Sequence, residues 1–140
     1  VWLPQGSPLA VHTAALAQAV QARLPAQRVV HAMRYGNPGL PGVLAGLRAD
    51  GVARVRVLPL YPQYSTTTTA SVADAVAAHA GGLQVKLLPD YHRDPAWVAA
   101  VAASIRAHWD AHGRGERLLL SFHGIPQRLV DAGDPYAAQC

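Results

Sequence analysis

The sequence has little cysteine, little lysine and no long apolar run, and each of these absences excludes a class of protein. The one cysteine, Cys140, cannot form an internal disulfide, so we expect a reducing, cytoplasmic location. No apolar run approaches the roughly 20 residues that span a bilayer. Only Lys86 of the twelve Lys and Arg residues is a lysine, and the arginines are scattered. This pattern argues against a nucleic-acid-binding stripe despite the net charge of +4.

Several common catalytic motifs are also missing. There is no Gly-x-Gly-x-x-Gly, no phosphate-binding P-loop and no Gly-x-Ser-x-Gly, which disfavours dinucleotide enzymes, nucleotide hydrolases and α/β-hydrolases. His108 and His112 have the four-residue helical spacing of some zinc sites. Neither a third ligand nor a glutamate accompanies them, so an interaction with the dipole of a helix C-terminus is the preferred interpretation.

The apolar pattern alternates between helix and strand four times, which predicts βαβ units in an α/β fold. Helices are predicted from Ser7-Pro8 to Pro25, from Pro41 to Gly51, from the threonine run to His79, and from Asp94-Pro95 to Gly113; strands are predicted at about 28–33, 55–60, 84–88 and 118–123. The short, branched strands are typical of a Rossmann-like parallel sheet with flanking helices. The apolar stripe of the longest helix predicts a buried face at Trp97, Val98, Val101, Ile105 and Trp109.

Polar and aromatic residues concentrate where the predicted strands end, and ligands of parallel sheets bind at that edge. These segments are Arg34-Tyr35, Tyr61 to Thr69, Asp90 to Arg93, and His123. The hydroxyl run can bind an anion or simply cap a helix. The tyrosines can form an aromatic wall or pack against loops. From the residues alone, His123 remains a general base, a metal ligand or a structural histidine.

Several separated motifs, in order, closely resemble the ferrochelatase family. They are Gly6-Ser7-Pro8-Leu9, Met33-Arg34-Tyr35-Gly36-Asn37-Pro38, Leu58-Pro59-Leu60-Tyr61-Pro62-Gln63-Tyr64-Ser65, Ser121-Phe122-His123-Gly124-Ile125-Pro126, and Gly133-Asp134-Pro135-Tyr136. The match runs in register over essentially all 140 residues. The resemblance implies an enzyme with two similar Rossmann-like domains that inserts ferrous iron into protoporphyrin IX, or coproporphyrin III, to form haem.

By this resemblance His123 is the active-site histidine, acting as proton acceptor or metal ligand. The resemblance implies a substrate-binding role for Arg34, Tyr35, Tyr61, Tyr64 and Ser65. Porphyrin and ferrous iron are the implied partners, and no cofactor is required. Some members hold an iron-sulfur cluster through a cysteine directly after the Tyr-Ser pair. Thr66 stands at that place here, so no such cluster is expected.

The departures from the family pattern indicate an internal fragment. The first family motif is missing, as is the C-terminal half of the second domain with the glutamate that faces the histidine. We therefore expect residues 1–90 to be the later part of a first domain and 91–140 the beginning of a second. The chain alone should be weakly active or inactive. A cobaltochelatase and a non-catalytic porphyrin-binding module are the alternatives, and oligomeric state and peripheral membrane association of the whole protein stay open.

Overall fold

The computed structural model describes Pro4 and residues 6–140. In this part of the chain, helices and strands follow one another in the order α1 (Pro8–Arg23), α2 (Leu40–Ala49), β1 (Arg54–Val57), α3 (Thr69–His79), β2 (Gln84–Leu87), α4 (Pro95–His112), α5 (Gln127–Asp131) and α6 (Tyr136–Gln139). The four predicted helices are confirmed as α1 to α4. The two short helices α5 and α6 follow the His123 segment.

Local signals explain where the long helices begin and end. Pro8 opens α1, and Pro95 opens α4, because a fixed φ suits the first helical turn and the missing N–H is not needed there. The Asp94 side chain caps α4 by accepting hydrogen bonds from the backbone N–H groups of Ala96 and Trp97, at 2.9 and 3.1 Å. Gly113 ends this helix with a φ of 84°, a conformation that favours glycine. Ser7 precedes α1, but its side chain makes no capping hydrogen bond.

The two strands form a small parallel sheet. Gln84 N donates to Ala53 O at 2.9 Å, and Leu88 N donates to Val57 O at 3.0 Å, so the same register holds from one end of the pairing to the other. Helix α3 connects β1 to β2. This βαβ unit confirms the predicted α/β class and its parallel sheet.

The strand predicted at 28–33 does not form. Val29 N donates to the Gln21 side-chain oxygen at 2.8 Å, and Gln21 Nε2 donates to Gln27 O at 2.7 Å. The Gln21 side chain therefore takes the Val29 N–H, a backbone group that a neighbouring strand would otherwise bind, and holds the chain just before this segment. Within residues 28–33, only Met33 makes a β-bridge, a parallel one with Gly39.

The strand predicted at 118–123 is also wrong, because these residues have no regular secondary structure. A strand needs a neighbour for its backbone N–H and C=O groups, and no strand pairs with this segment in the described part of the chain. Leu119 is 88% exposed as a result, and Leu118 and Leu120 are also exposed. His123 thus follows an irregular apolar segment instead of a sheet strand.

Helix α4 does not bury the predicted apolar stripe. Trp97, Ile105 and Trp109 are half-buried, whereas Val98 and Val101 are exposed. A helical stripe predicts which residues share a face, but the cover over that face depends on other elements. Among the helices of the described residues, none is both long enough and apolar enough to cross a bilayer.

The chain divides into two compact units that interleave in sequence. Unit 1 comprises Val1–Val55 and Val72–Lys86, and unit 2 comprises Arg56–Ser71 and Leu87–Cys140. Among the described residues, the buried side chains of unit 1 are all apolar: Met33, Leu40, Leu44, Leu47, Val72, Val76 and Leu83. The buried side chains of unit 2 are Pro59, Ser65, Thr69 and Asp134. The division into domains at about residue 90 stays a prediction.

Replacing Leu44 tests the apolar core of unit 1. Leu44 is 1% exposed, so Leu44→Ala should lower the free energy of unfolding by about 2–5 kcal/mol through lost burial and a residual cavity. Leu9→Ala is the control, because Leu9 is 66% exposed on α1, and it should change stability by about 0.5 kcal/mol or less. Urea unfolding measures both variants. An equal loss of unfolding free energy in the two variants would show that Leu44 of α2 does not belong to the apolar core of unit 1.

Candidate functional site

A loop of hydroxyl side chains, residues 65–68, leads into α3 and contains Ser65, one of the buried polar residues of unit 2. Ser65 is 0% exposed, and its Oγ donates to Asp134 Oδ2 at 2.9 Å. Thr66 gives the same carboxylate oxygen two further hydrogen bonds, from its N and its Oγ1, both at 2.7 Å. We call residues 65–68 the hydroxyl loop. Asp134, 69 residues later in the chain, therefore fixes its conformation.

The directions of these hydrogen bonds follow from the number of protons. The Ser65 hydroxyl has one proton, which it gives to Asp134. In the contact of 2.9 Å between Ser65 Oγ and Thr67 Oγ1, Thr67 must then be the donor. Thr67 N also donates to Ser65 Oγ, at 3.2 Å. Ser65 and Thr66 thus donate to one carboxylate, and Thr67 donates to Ser65.

Asp134 is a buried anion whose hydrogen bonds keep it charged. Its side chain accepts four hydrogen bonds, three from residues of the hydroxyl loop and one from Tyr136 N at 3.0 Å. Burial alone would raise the pKa of the Asp134 carboxyl, but hydrogen bonds from Thr66, Tyr136 and Ser65 outweigh that effect and lower the pKa to about 2. The carboxylate is therefore ionised at neutral pH.

The same carboxylate connects to the segment that carries His123. Tyr136 N donates to Asp134 Oδ1, and the phenol Oη of Tyr136 accepts a hydrogen bond from His123 N at 3.1 Å. Burial raises the pKa of Tyr136, and Cys140 raises it further, so the phenol is neutral. Because the bond uses the His123 backbone, it leaves the imidazole available, and His123 is exposed.

The structure brings three of the predicted site residues into one network. Ser65 and His123 connect through Asp134 and Tyr136, and Tyr64 N donates to the Gln139 side-chain oxygen at 2.7 Å. Tyr61, in the same unit, is partly exposed and so can contact a ligand. Sheet pairing does not create this arrangement. It depends on the segment around α6.

Arg34 and Tyr35 belong to unit 1, where they lie in the loop before α2. The Arg34 guanidinium carbon lies 4.6 Å from the centre of the Tyr35 ring, a cation–π contact. The loop is closed at its base by Met33 N donating to Pro38 O at 2.8 Å and by Leu40 N donating to Met33 O at 3.1 Å. Tyr35 is 76% exposed. The pair therefore presents a charged and an aromatic group together at the surface.

Within the described residues, no group of three or more His, Cys, Asp or Glu side chains could hold a metal ion. The rings of His108 and His112 stack with centroids 4.4 Å apart, and His112 Nδ1 lies 3.0 Å from His108 O. A single exposed imidazole such as His123 can still bind a metal transiently, because one ligand holds it weakly.

Asp134, Tyr136 and Gln139 are site residues that have no predicted role from the sequence. Asp134 and Tyr136 belong to a quoted motif, Gly133-Asp134-Pro135-Tyr136, whose composition is that of an exposed turn. No local pattern shows that its aspartate is 7% exposed and bound to a loop 69 residues earlier. The motif itself was the one available signal.

The fold and the site together define an α/β protein of the chelatase-like class, with a parallel βαβ unit and polar residues clustered after its first strand. The sequence model of one family, described as Ferrochelatase, matches residues 2–140. The chain belongs to the ferrochelatase family.

Relatives agree with this assignment. The chain is 59% identical over 143 aligned residues to the ferrochelatase of Xanthomonas axonopodis pv. citri (strain 306), and 60% identical over 143 to that of Stenotrophomonas maltophilia (strain R551-3). Both alignments cover 100% of this chain and 45% of the relative. The ferrochelatase of Azoarcus sp. (strain BH72) is 46% identical over 147 residues, which cover 40% of its length. The chain thus spans a little under half the length of these relatives.

The low pKa of Asp134 predicts a loss of stability in acid. Because the folded-state pKa of about 2 lies below the ordinary value of 3.8, the charged carboxylate stabilises the fold fully above about pH 4. This contribution, about 2 kcal/mol, should be lost as the pH falls through about 2. Urea unfolding between pH 6 and pH 2 measures it.

Asp134→Asn should be less stable at neutral pH and should lose less stability on acidification, since the titrating group is gone. Asp110→Asn, at an exposed position on α4, is the matched control and should keep the acid dependence of the unsubstituted chain. If Asp134→Asn and the unsubstituted chain lose stability in parallel, the buried carboxylate is not the group responsible.

Proposed function

We propose that this chain is the part of a ferrochelatase that carries the active-site histidine, and that the whole protein inserts ferrous iron into a porphyrin to form haem. One observation supports this proposal most. In a chain of this family, the His123 backbone is bound to the network that orders the hydroxyl loop, while its side chain stays exposed.

The chemistry of the reaction fits an imidazole at this place. A porphyrin loses two N–H protons as the metal enters, so a nearby base must accept protons. An imidazole can also hold Fe²⁺ through one nitrogen and release it again, because a single ligand binds weakly. We therefore assign His123 as the proton acceptor or the metal ligand of the reaction.

Arg34, Tyr35, Tyr61, Tyr64 and Ser65 form the proposed substrate-binding set. A guanidinium suits the carboxylates of a porphyrin, and aromatic rings suit its flat macrocycle. Arg34 stacks on Tyr35, and Tyr61 is partly exposed. Ser65 belongs to the set through the loop it fixes, because its own hydroxyl is fully buried and donates to Asp134.

We propose that the protein needs no cofactor and works in the cytoplasm. Thr66 stands where some family members have a cluster-binding cysteine, and here its N–H and hydroxyl both donate to Asp134. Threonine has a hydroxyl and no thiol, so it does not supply the thiolate that an iron-sulfur cluster needs. Porphyrin, as protoporphyrin IX or coproporphyrin III, and ferrous iron are the proposed partners.

His123→Ala tests this function in the whole protein that contains the chain. Anaerobic insertion of Fe²⁺ into protoporphyrin IX, followed by visible absorption, should slow by about 100-fold or more, since a general base contributes that much. His108→Ala removes another exposed imidazole, on α4, and should leave the rate unchanged. Insertion of Co²⁺ but not Fe²⁺ would instead identify a cobaltochelatase.

The chain by itself should bind protoporphyrin IX, seen as a shift of the Soret band, and insert iron weakly or not at all. Because it covers 45% of its relatives, we expect insertion to need residues beyond this part. Rapid insertion by the 140-residue chain would contradict that expectation, and porphyrin binding without insertion by the whole protein would favour a non-catalytic porphyrin carrier.

A further inference from the structure

We propose that Asp134 is a positioning residue, which through Tyr136 holds His123 in a fixed relation to the hydroxyl loop. This inference rests on the proposed function for its catalytic meaning, since it concerns how His123 is placed. Its structural part is independent of that function. The bonds that carry it run from the loop to the carboxylate, and from the carboxylate through Tyr136 to His123.

Both oxygens of the Asp134 carboxylate are needed. Oδ2 accepts the backbone N–H of Thr66 at 2.7 Å, and Oδ1 accepts the backbone N–H of Tyr136 at 3.0 Å. A backbone N–H can only donate, whereas a hydroxyl can rotate and accept. An amide in place of the carboxylate would therefore point its NH₂ group at one backbone N–H, whichever way it is flipped.

The connection is mechanical because it fixes backbone on both sides. On one side the carboxylate orders Thr66 and the fully buried Ser65. On the other side it orders the start of α6, where the Tyr136 phenol receives the His123 N–H. Asp134 itself is 7% exposed, so water competes little for these bonds. Asp134 therefore acts on His123 through Tyr136, without direct contact.

Two substitutions separate the two halves of this connection. Asp134→Asn opposes donor to donor on one side and, because it removes the charge, weakens the hydrogen bonds on the other side. It should therefore disturb both the hydroxyl loop and His123. Tyr136→Phe removes the acceptor of the His123 N–H, together with the hydrogen bond between the phenol and the Cys140 side chain, and should leave the bonds of the hydroxyl loop intact. Asp131→Asn is the matched control, since Asp131 is an exposed acid on α5 whose Oδ1 accepts only from Gln127 among the bonds described.

The first readout needs no substrate. In amide exchange and ¹H–¹⁵N spectra of the chain, Asp134→Asn should shift the signals of both Thr66 and His123, and Tyr136→Phe should shift that of His123 alone. Exchange of the His123 amide should become about two- to tenfold faster in both variants, the loss expected for one hydrogen bond. Asp131→Asn should change neither signal.

The second readout is the kinetics of metal insertion in the whole protein. A misplaced His123 should lower kcat by about tenfold or more in Asp134→Asn and Tyr136→Phe, while the KM for porphyrin stays within about twofold. If Asp134→Asn does not fold, Thr66→Val removes one hydroxyl donor and Thr66→Ser retains it. Thr66→Val should then lower kcat and shift the His123 amide, and Thr66→Ser should restore both.

The outcomes distinguish this inference from the proposed function. A His123 amide that responds to Tyr136→Phe but not to Asp134→Asn, in folded proteins, overturns the coupling. So does a kcat that depends on His123 but on neither Asp134 nor Tyr136. If the unsubstituted protein inserts no metal, the proposed function fails, and the amide pattern alone still decides whether Asp134 holds the two segments together.

Discussion

A buried carboxylate keeps its charge only where hydrogen bonds replace the water it has lost, and unit 2 meets this condition at Asp134. The Asp134 side chain accepts four hydrogen bonds. Two of them come from the backbone N–H groups of Thr66 and Tyr136, which do not take part in helix or strand hydrogen bonding. The donors come from segments far apart in sequence. Satisfying one anion therefore determines the positions of the hydroxyl loop and of the start of α6.

The two compact units are stabilised by different means. Unit 1 buries Leu44 and other apolar side chains of α2 and α3, where the gain scales with the apolar area removed from water. In unit 2 the most buried side chains include Ser65, Thr69 and Asp134. Hydrogen bonds are directional, whereas apolar burial is not. A polar centre consequently fixes loop geometry more narrowly than an apolar one of equal size.

The helices could be predicted because their signals are local: Pro8 and Pro95 open two of them, and Gly113 ends one. The strands predicted at 28–33 and 118–123 do not form, and the sequence could not show this. A strand exists only beside a partner, and no residue within the segment indicates whether that partner is present. The burial of Asp134 could not be predicted for a related reason. An aspartate between glycine and proline has the composition of a turn, and its burial depends on Thr66, which local sequence does not reveal.

The network restrains the backbone at His123 and leaves the imidazole of this residue exposed. His123 is bound through its N–H, so its imidazole nitrogens are not used up by the bond that places it. A residue that must take up and release a proton or a metal needs such freedom, because a ring nitrogen held by a strong partner would have to break that bond in each cycle. Ser65 shows the opposite arrangement, with its hydroxyl fully buried and committed to Asp134. Under the proposed function, His123 supplies the chemistry and Ser65 supports the hydroxyl loop, and both are connected to Asp134.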